Sequence, residues 1–172
     1  IEVITLLKLV RLSAENYPLL CEMMDEWTAS EAVIIPRAIS KADYHDYDNY
    51  SQSIEVKSEN SQFVPDSTFF CLDTERNIFV GAVNIRHYLN DRLMNIGHIG
   101  DGIRPSERRK GYGTLMVGLA LDECRKLGLD KVLMVCDKVN VASAKTIIKN
   151  GGILENEPEI DGRIICRFII DL

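Results

Sequence analysis

The residues best placed to do chemistry lie together at 101–114, DGIRPSERRKGYGT. Four cations, Arg104, Arg108, Arg109 and Lys110, fall within seven residues, and Gly111 and Gly113 follow with one residue between them. A glycine-rich strand pattern precedes the segment and a helical period follows it. This is the arrangement of an anion site. The first backbone N–H groups of a helix have no internal partner and point outward, and the helix dipole adds roughly half a positive charge at that end. Glycine lets the backbone approach a ligand closely and take up positive φ. Together these features predict a pyrophosphate site at a helix start. Two common phosphate loops do not fit. A P-loop needs a Lys after its last glycine, and a dinucleotide fingerprint needs a third glycine where this chain has Met116.

Other chemistries lack their residues. There is no G-x-S-x-G elbow and no H-E-x-x-H, and three histidines do not suffice for a metal site built of imidazoles. Cys136 ends an apolar run near the proposed site, so a covalent route through it is conceivable. No His lies beside it in sequence, and a buried structural thiol is the better reading.

The elements that must position these residues belong to one domain, 1–172, since 172 residues is an ordinary domain length. Apolar residues make up 46% and charged residues 27%, which offsets chain entropy and excludes general disorder. Lys plus Arg is 20 against 26 Asp plus Glu, a net charge of −6. That balance excludes a general nucleic-acid binder but leaves room for a local basic pocket. The five cysteines, Cys21, Cys71, Cys124, Cys136 and Cys166, form no C-x-x-C pair and point to a reducing, cytoplasmic compartment. No stretch approaches the ~20 apolar residues of a membrane span.

Residues 3–10 read as a strand. Ser13 offers an N-cap for a helix carrying Tyr17, Leu20, Cys21, Met24 and Trp27 on one face. Pro36 interrupts the next stretch, and Tyr44, Tyr47, Tyr50 and Ile54 suggest a polar helix within 41–57. Strands 67–72, 78–87 and 95–103 follow at hairpin distances and predict an antiparallel meander. Pro105 closes the last of them. A helix from about Gly113 to Leu127 stops at Gly128, and 131–136 has the apolar run of a buried strand. A helix from Val141 to Lys149 ends at Gly151–Gly152, and strands 153–156 and 163–171 flank a turn at Asp161–Gly162. The order implies an α/β (α+β) fold, a mixed sheet with helices on both faces.

At this point the segment resembles motif A of the GNAT superfamily of acyl-CoA-dependent N-acyltransferases. The family pattern R/Q-x-x-G-x-G/A reads here Arg108-Arg109-Lys110-Gly111-Tyr112-Gly113. Ile103 and Pro105 match the apolar residue and proline upstream, and Asn140, Ser143 and Gly151–Gly152 match the second half. Through VPDST (64–68), NIRH (84–87) and GHIG (97–100) the chain is also similar to bacterial acetyltransferases of undefined substrate.

The resemblance implies a mixed, mostly antiparallel central sheet in which strands 95–103 and 131–136 run parallel and splay apart to open a cofactor slot. Coenzyme A pyrophosphate would sit on the backbone from Arg109 to Thr114, with Arg108, Lys110 and Tyr112 in the same loop. The pantetheine arm would pair with the backbone of Asp101 and Ile103, and Asn140 would reach it. The implied reaction is direct attack of a primary amine on acetyl-CoA, without metal. The alternative is an acyl-CoA-binding sensor that does no chemistry. Expected partners are acetyl-CoA and an amine acceptor, small molecule or peptide, with neither nucleic acid nor membrane, and a homodimer is an open expectation.

The acid and base need replacements, because the family's Tyr and Glu positions hold Ile147 and Gly97. His98 and Asp101 are the candidate bases, and Ser143 is the nearest candidate hydroxyl for the acid. A hairpin turning about Asp91 sets Asn84 opposite His98, where the amide could orient the imidazole near its reference pKa of ~6.5. The resemblance implies that Asp43, Asp46 and Asp48 lie in the region that flanks the acceptor cleft, where they could attract a cation, and they read mainly as a solvated acidic face.

Overall fold

The computed structural model describes residues 6–172. Strand β1 is Leu7–Val10, so residues 3–5 of the expected strand lie outside the described residues. Helix α1 is Tyr17–Ala29 and begins three residues later than a Ser13 cap would place it. Ser13 and Asn16 instead close a reciprocal turn: the Ser13 N–H donates to Asn16 Oδ1 (2.9 Å) and the Asn16 N–H to Ser13 Oγ (3.3 Å). Asn16 is the N-cap, and Pro18 suits the first turn because it needs no N–H there. The polar helix shrinks to α2, Tyr47–Ser53, capped by Asp46, whose side chain accepts from the Asn49 N–H. Ahead of it, Ser40, Asp43 and Asp46 favour turns and caps over helix interior.

Strands β2 (Asp66–Asp73), β3 (Ile78–Arg86) and β4 (Ile99–Ile103) form the expected meander, and β1 joins its outer edge in the order β1-β2-β3-β4. All three ladders are antiparallel. The register between β3 and β4 differs from the sequence expectation by two residues. Asn84 pairs with Gly100, and His98 lies opposite Arg86. The cause is a 3-10 turn at Asp91–Asn95, capped by Asn90, which takes more chain than a tight bend would.

Helix α3 (Tyr112–Lys126) and helix α4 (Val141–Lys149) lie where their periodicity puts them, and Gly128 terminates α3 with φ +80°. Strand β5 (Lys131–Asp137) pairs with β8 (Arg163–Asp171), which also pairs with β6 (Ile153–Asn156) and β7 (Glu159–Ile160). The sheet therefore comes in two halves, β1-β2-β3-β4 and β5-β8-β6.

Strand alternation sends side chains of the first half into two cores. Val83, Ile85 and Ile99 meet Met116, Val117 and Ala120 of α3, together with β5 and β8. Phe70, Phe79 and Ala82 meet Leu20, Met23, Met24 and Trp27 of α1 and Tyr50 of α2. Both faces of the meander are thus covered, which is why its strands read as nearly continuous apolar runs.

The loop after α1 packs directly onto β4. The Trp27 indole N–H donates to the Val33 carbonyl (3.2 Å). A Cβ built on Gly102 would overlap the Ile35 carbonyl oxygen and come within 3.1 Å of the Trp27 ring. Gly102→Ala should therefore destabilise the protein by about 1–3 kcal/mol, the usual cost of overpacking. At Gly113 a Cβ meets nothing nearer than 3.7 Å, so Gly113→Ala should keep or raise stability. Urea titration of both variants checks the contrast.

Candidate functional site

Strand β4 is the edge of its sheet half, and its free side carries the site. In an antiparallel ladder, alternate residues bond inward and the rest present N–H and C=O to the open edge. The bonds Arg86 N–H to His98 O (2.8 Å) and Arg104 N–H to Val80 O (2.8 Å) frame the strand and fix this alternation. With them, Gly100 and Gly102 face β3, while Asp101 and Ile103 direct their backbone groups outward. These are the two residues the sequence singled out.

Strand β5 does not close that edge. Its joint with the β4 side is one isolated antiparallel bridge, Gly97 to Met134. His98 reinforces the joint twice: its N–H donates to Leu133 O (2.8 Å), and its Nδ1 accepts from the Leu133 N–H (2.9 Å). Gly97 sits at φ +86°, and a Cβ there would come within 2.6 Å of Leu133 O, so only glycine permits so close an approach. Beyond this joint no ladder connects β4 and β5, and a cleft of about 610 Å³ opens. Asp101 and Ile103 line one wall, the starts of α3 and α4 line the other, and Trp27, Val33 and Ile35 close the side.

Gly111 is the N-cap of α3 with φ +85°, and no side chain caps the helix. The first turn holds no acidic residue, and Leu115 is the first residue to bond back, to Gly111 O (3.4 Å). The N–H groups of Tyr112, Gly113 and Thr114 are therefore free for an anion in the cleft. Arg109 also lies at positive φ (62°).

The cations divide their duties. Arg108 and Arg109 line the cleft. Arg108 Nε donates to Ile103 O (3.0 Å), and its guanidinium lies over Trp27 (5.8 Å). Lys110, expected in the pyrophosphate loop, turns to Glu107 (3.2 Å) instead. Arg104 is tied to Glu26 (3.0 Å). Glu107 is 5% exposed and takes two parallel bonds from Arg76 (2.9 and 2.8 Å). Arg76 in turn holds Asp73 (2.9 Å) and the Tyr112 hydroxyl (2.9 Å). This network fixes the loop before α3 to the β2–β3 turn. Hydrogen bonds from Arg76 hold the Glu107 carboxyl below its ordinary pKa despite burial.

Of the candidate acid–base groups, Asp101 and Ser143 line the cleft and His98 does not. Burial lowers the His98 pKa, and its Nδ1 is engaged by Leu133, so the imidazole works as a strand clamp. Its expected partner Asn84 bonds elsewhere, to Thr68 Oγ1 (3.0 Å). Burial raises the Asp101 carboxyl to about 6. Asn140 lines the cleft and caps α4 by accepting from the Ser143 N–H (3.1 Å). Burial pushes the Cys136 thiol up, as a structural cysteine requires. Ile147 is 1% exposed in the core. Thr146, one turn along α4 from the cleft mouth, lines the wall and was not evident from the sequence. Trp27, Val33 and Ile35 were missed too, because apolar residues beside a helix end carry no signal of a ligand.

Residues 7–153 match the family model of the Acetyltransferase (GNAT) domain. No curated protein sequence matches the chain. A solved structure of a presumed ribosomal-protein-serine acetyltransferase from Vibrio cholerae superposes with a TM-score of 0.64 at 19% identity, over 99% of this chain and 96% of that one. The spermidine N-acetyltransferase of Vibrio cholerae, in complex with CoA and spermine, superposes with a TM-score of 0.63 at 16% identity, over 97% and 96%. A GNAT-family acetyltransferase from Bacillus anthracis gives 0.62 at 17% identity, over 96% and 94%. At these identities the likeness is one of fold.

Two measurements check the site. Gly113→Asp places a carboxylate at the start of α3, where a Cβ makes only ordinary contacts, 3.7 Å to Thr146 Oγ1, and the dipole favours it. It should fold normally and bind coenzyme A at least ~10-fold more weakly in calorimetric titration, by repulsion of the pyrophosphate. Glu107→Gln should cost about 1–3 kcal/mol at pH 7. A carboxyl with a lowered pKa stabilises above the ordinary carboxylate range and loses that contribution on acidification. The gap between wild type and Glu107→Gln should therefore narrow as pH falls below about 4.

Proposed function

This chain belongs to the GNAT acetyltransferase family, and from that premise we propose that it transfers an acetyl group from acetyl-CoA to a primary amine by direct attack on the thioester. One observation carries the reading. The free edge of β4 and the uncapped, glycine-started N-terminus of α3 open into the same cleft. The first offers strand-like pairing for an extended amide arm, and the second offers N–H groups and cations for a pyrophosphate.

Acetyl-CoA supplies the acetyl group in activated, thioester form. The N–H groups of Tyr112, Gly113 and Thr114, with Arg108 and Arg109, hold the pyrophosphate. The outward groups of Asp101 and Ile103 take the pantetheine arm, with Asn140 beside it. Asp101 receives the proton that the amine must shed as its nitrogen bonds the carbonyl carbon. A carboxyl near 6 is mostly ionised at neutral pH yet basic enough to accept that proton. As the C–S bond breaks, the Ser143 hydroxyl gives its proton to the thiolate sulfur and regains one from Asp101 through solvent, so that one proton passes overall from nitrogen to sulfur and both residues end as they began. His98 acts only through the strand joint it holds.

A second reading, an acyl-CoA-binding module without catalysis, draws on Ile147 and Gly97, which fill the family's acid and base positions with groups that cannot move a proton. Release of free thiol from acetyl-CoA in the presence of a mixed amine panel separates the two, and the enzyme reading requires it.

If Asp101 is the base, the rate at saturating acetyl-CoA should climb with pH and level off above about 6. Asp101→Asn should lose that limb and about 10²–10⁴-fold in turnover, the range a positioned base supplies, while coenzyme A affinity stays within a few-fold. A variant with the wild-type profile would remove Asp101 from the chemistry.

A further inference from the structure

On the other side of the Val33–Ile35 wall lies a second cavity of about 740 Å³, and Val33 and Ile35 line both spaces. Gly100 of β4 faces this cavity, while Asp101, the next residue, faces the cleft. An amine held in the cavity is thus separated from the cleft only by that wall and the edge of β4.

The charge of the cavity is unlike that of the chain. Arg37, Lys41, Arg86 and Arg92 line it, and Asp66 is the one carboxylate among the lining residues. Asp66 is already occupied, its Oδ1 accepting from the Val56 N–H (2.7 Å). None of the four cations forms an ion pair among the described residues, whereas twelve pairs form elsewhere in the protein. Arg86 is the informative one. It is largely withdrawn from water, and its one hydrogen bond is from Nη1 to the Gly97 carbonyl (3.0 Å). Burial lowers its proton affinity, and the Asp66 charge offsets that only in part. Nearby His98 carries its own lowered pKa and adds no counter-charge. The remaining guanidinium N–H donors of Arg86 have no protein partner among the described residues and open onto the cavity, where an anion can pair with them. Phe63, Val64, Leu93 and Ile96 supply apolar wall, and Ser40, Gln62 and Asn84 add neutral polar groups.

We infer that this cavity receives the acceptor, and that the acceptor is a small amine bearing an anionic group, a carboxylate or a phosphate-type oxyanion, on a partly apolar body, with Arg86 as the group that binds the anion. The inference rests on the acetyltransferase reading above. It sets aside Asp43, Asp46 and Asp48 as an attractor of cationic acceptors, since none of the three lines the cavity.

The test uses matched sets of amines at saturating acetyl-CoA. Phenylalanine and leucine are each compared with their amides, with the amines lacking the carboxyl group, and with their aminophosphonate analogues; spermidine stands as the cationic control. The expected result is a kcat/KM higher by roughly 10- to 100-fold for the anionic members of a set, the range of a charge-assisted hydrogen bond. Arg86→Gln should shrink that preference to a few-fold, mainly through KM. Arg92→Glu, at an exposed position, should reduce it also and serves where Arg86→Gln fails to fold. The carboxylate and phosphonate arms identify which oxyanion fits. Preference for the amides or for spermidine, or an unchanged preference in both variants, overturns the inference. If no amine is acetylated while coenzyme A still binds, the acetyltransferase reading fails. Calorimetry of the same sets with coenzyme A bound then decides the cavity alone, and equal affinity for acids and amides overturns it.

Discussion

The site depends on a sheet that is kept from closing. Had β5 laddered along β4, the outward N–H and C=O groups of Asp101 and the N–H of Ile103, whose C=O already accepts from Arg108, would be spent within the protein. A single joint prevents this. Gly97, at φ +86°, brings its backbone against Leu133, and His98 holds the same residue by N–H and by Nδ1. The two strands are fixed at one point and free beyond it, so the cleft is a property of the backbone path. Burying an unpaired strand edge would be costly, and an edge left open to a cleft, where water or an extended ligand can pair with it, is not.

Charge at the glycine loop is organised on the same principle of fixing one part to free another. Glu107 and Asp73 collect Arg76, and Glu107 also takes Lys110, so the loop before α3 is held by buried, multiply bonded carboxylates. Glu26 does the same for Arg104 and for Ser106, whose N–H and hydroxyl both donate to it. With those cations engaged, Arg108 and Arg109 remain at the cleft beside helix N–H groups that no side chain caps. Four cations in seven residues thus looked like one cluster in the sequence, but two position the loop and two are available to a ligand.

The parts of the fold legible in the sequence are those decided locally. The period of α3 and α4, the turn at Asp161–Gly162 and the stop at Gly128 each depend on a few neighbouring residues, and they lie where the pattern puts them. What was not legible depends on competition between local options. Ser13 is as good a cap as Asn16, but Pro18 fits only one of the two starts. The Asp91–Asn95 segment could bend in several ways, and the 3-10 turn that forms shifts the hairpin by two residues. That shift keeps each side chain on its face but takes His98 from Asn84 to Arg86. A histidine's surroundings follow from its partners, so a shift of two positions replaces a neutral amide opposite His98 with a guanidinium.

The second cavity shows the same limit from the opposite direction. A net charge of −6 describes the whole surface and says nothing of a concave patch where Arg37 and Lys41 of one loop, Arg86 at the end of β3 and Arg92 of the turn after it converge. The three short stretches that carried the finer resemblance, 64–68, 84–87 and 97–100, are far apart in the chain. The ladders set the first two side by side on β2 and β3, and the third runs onto β4 next to them. Each contributes to the cavity wall, through Val64 and Asp66, Asn84 and Arg86, and Gly100. Their similarity to other acetyltransferases was visible as strings of letters. Their common place becomes visible only once pairing puts them edge to edge, because a cavity wall made of one or two residues per strand has no period and no motif of its own.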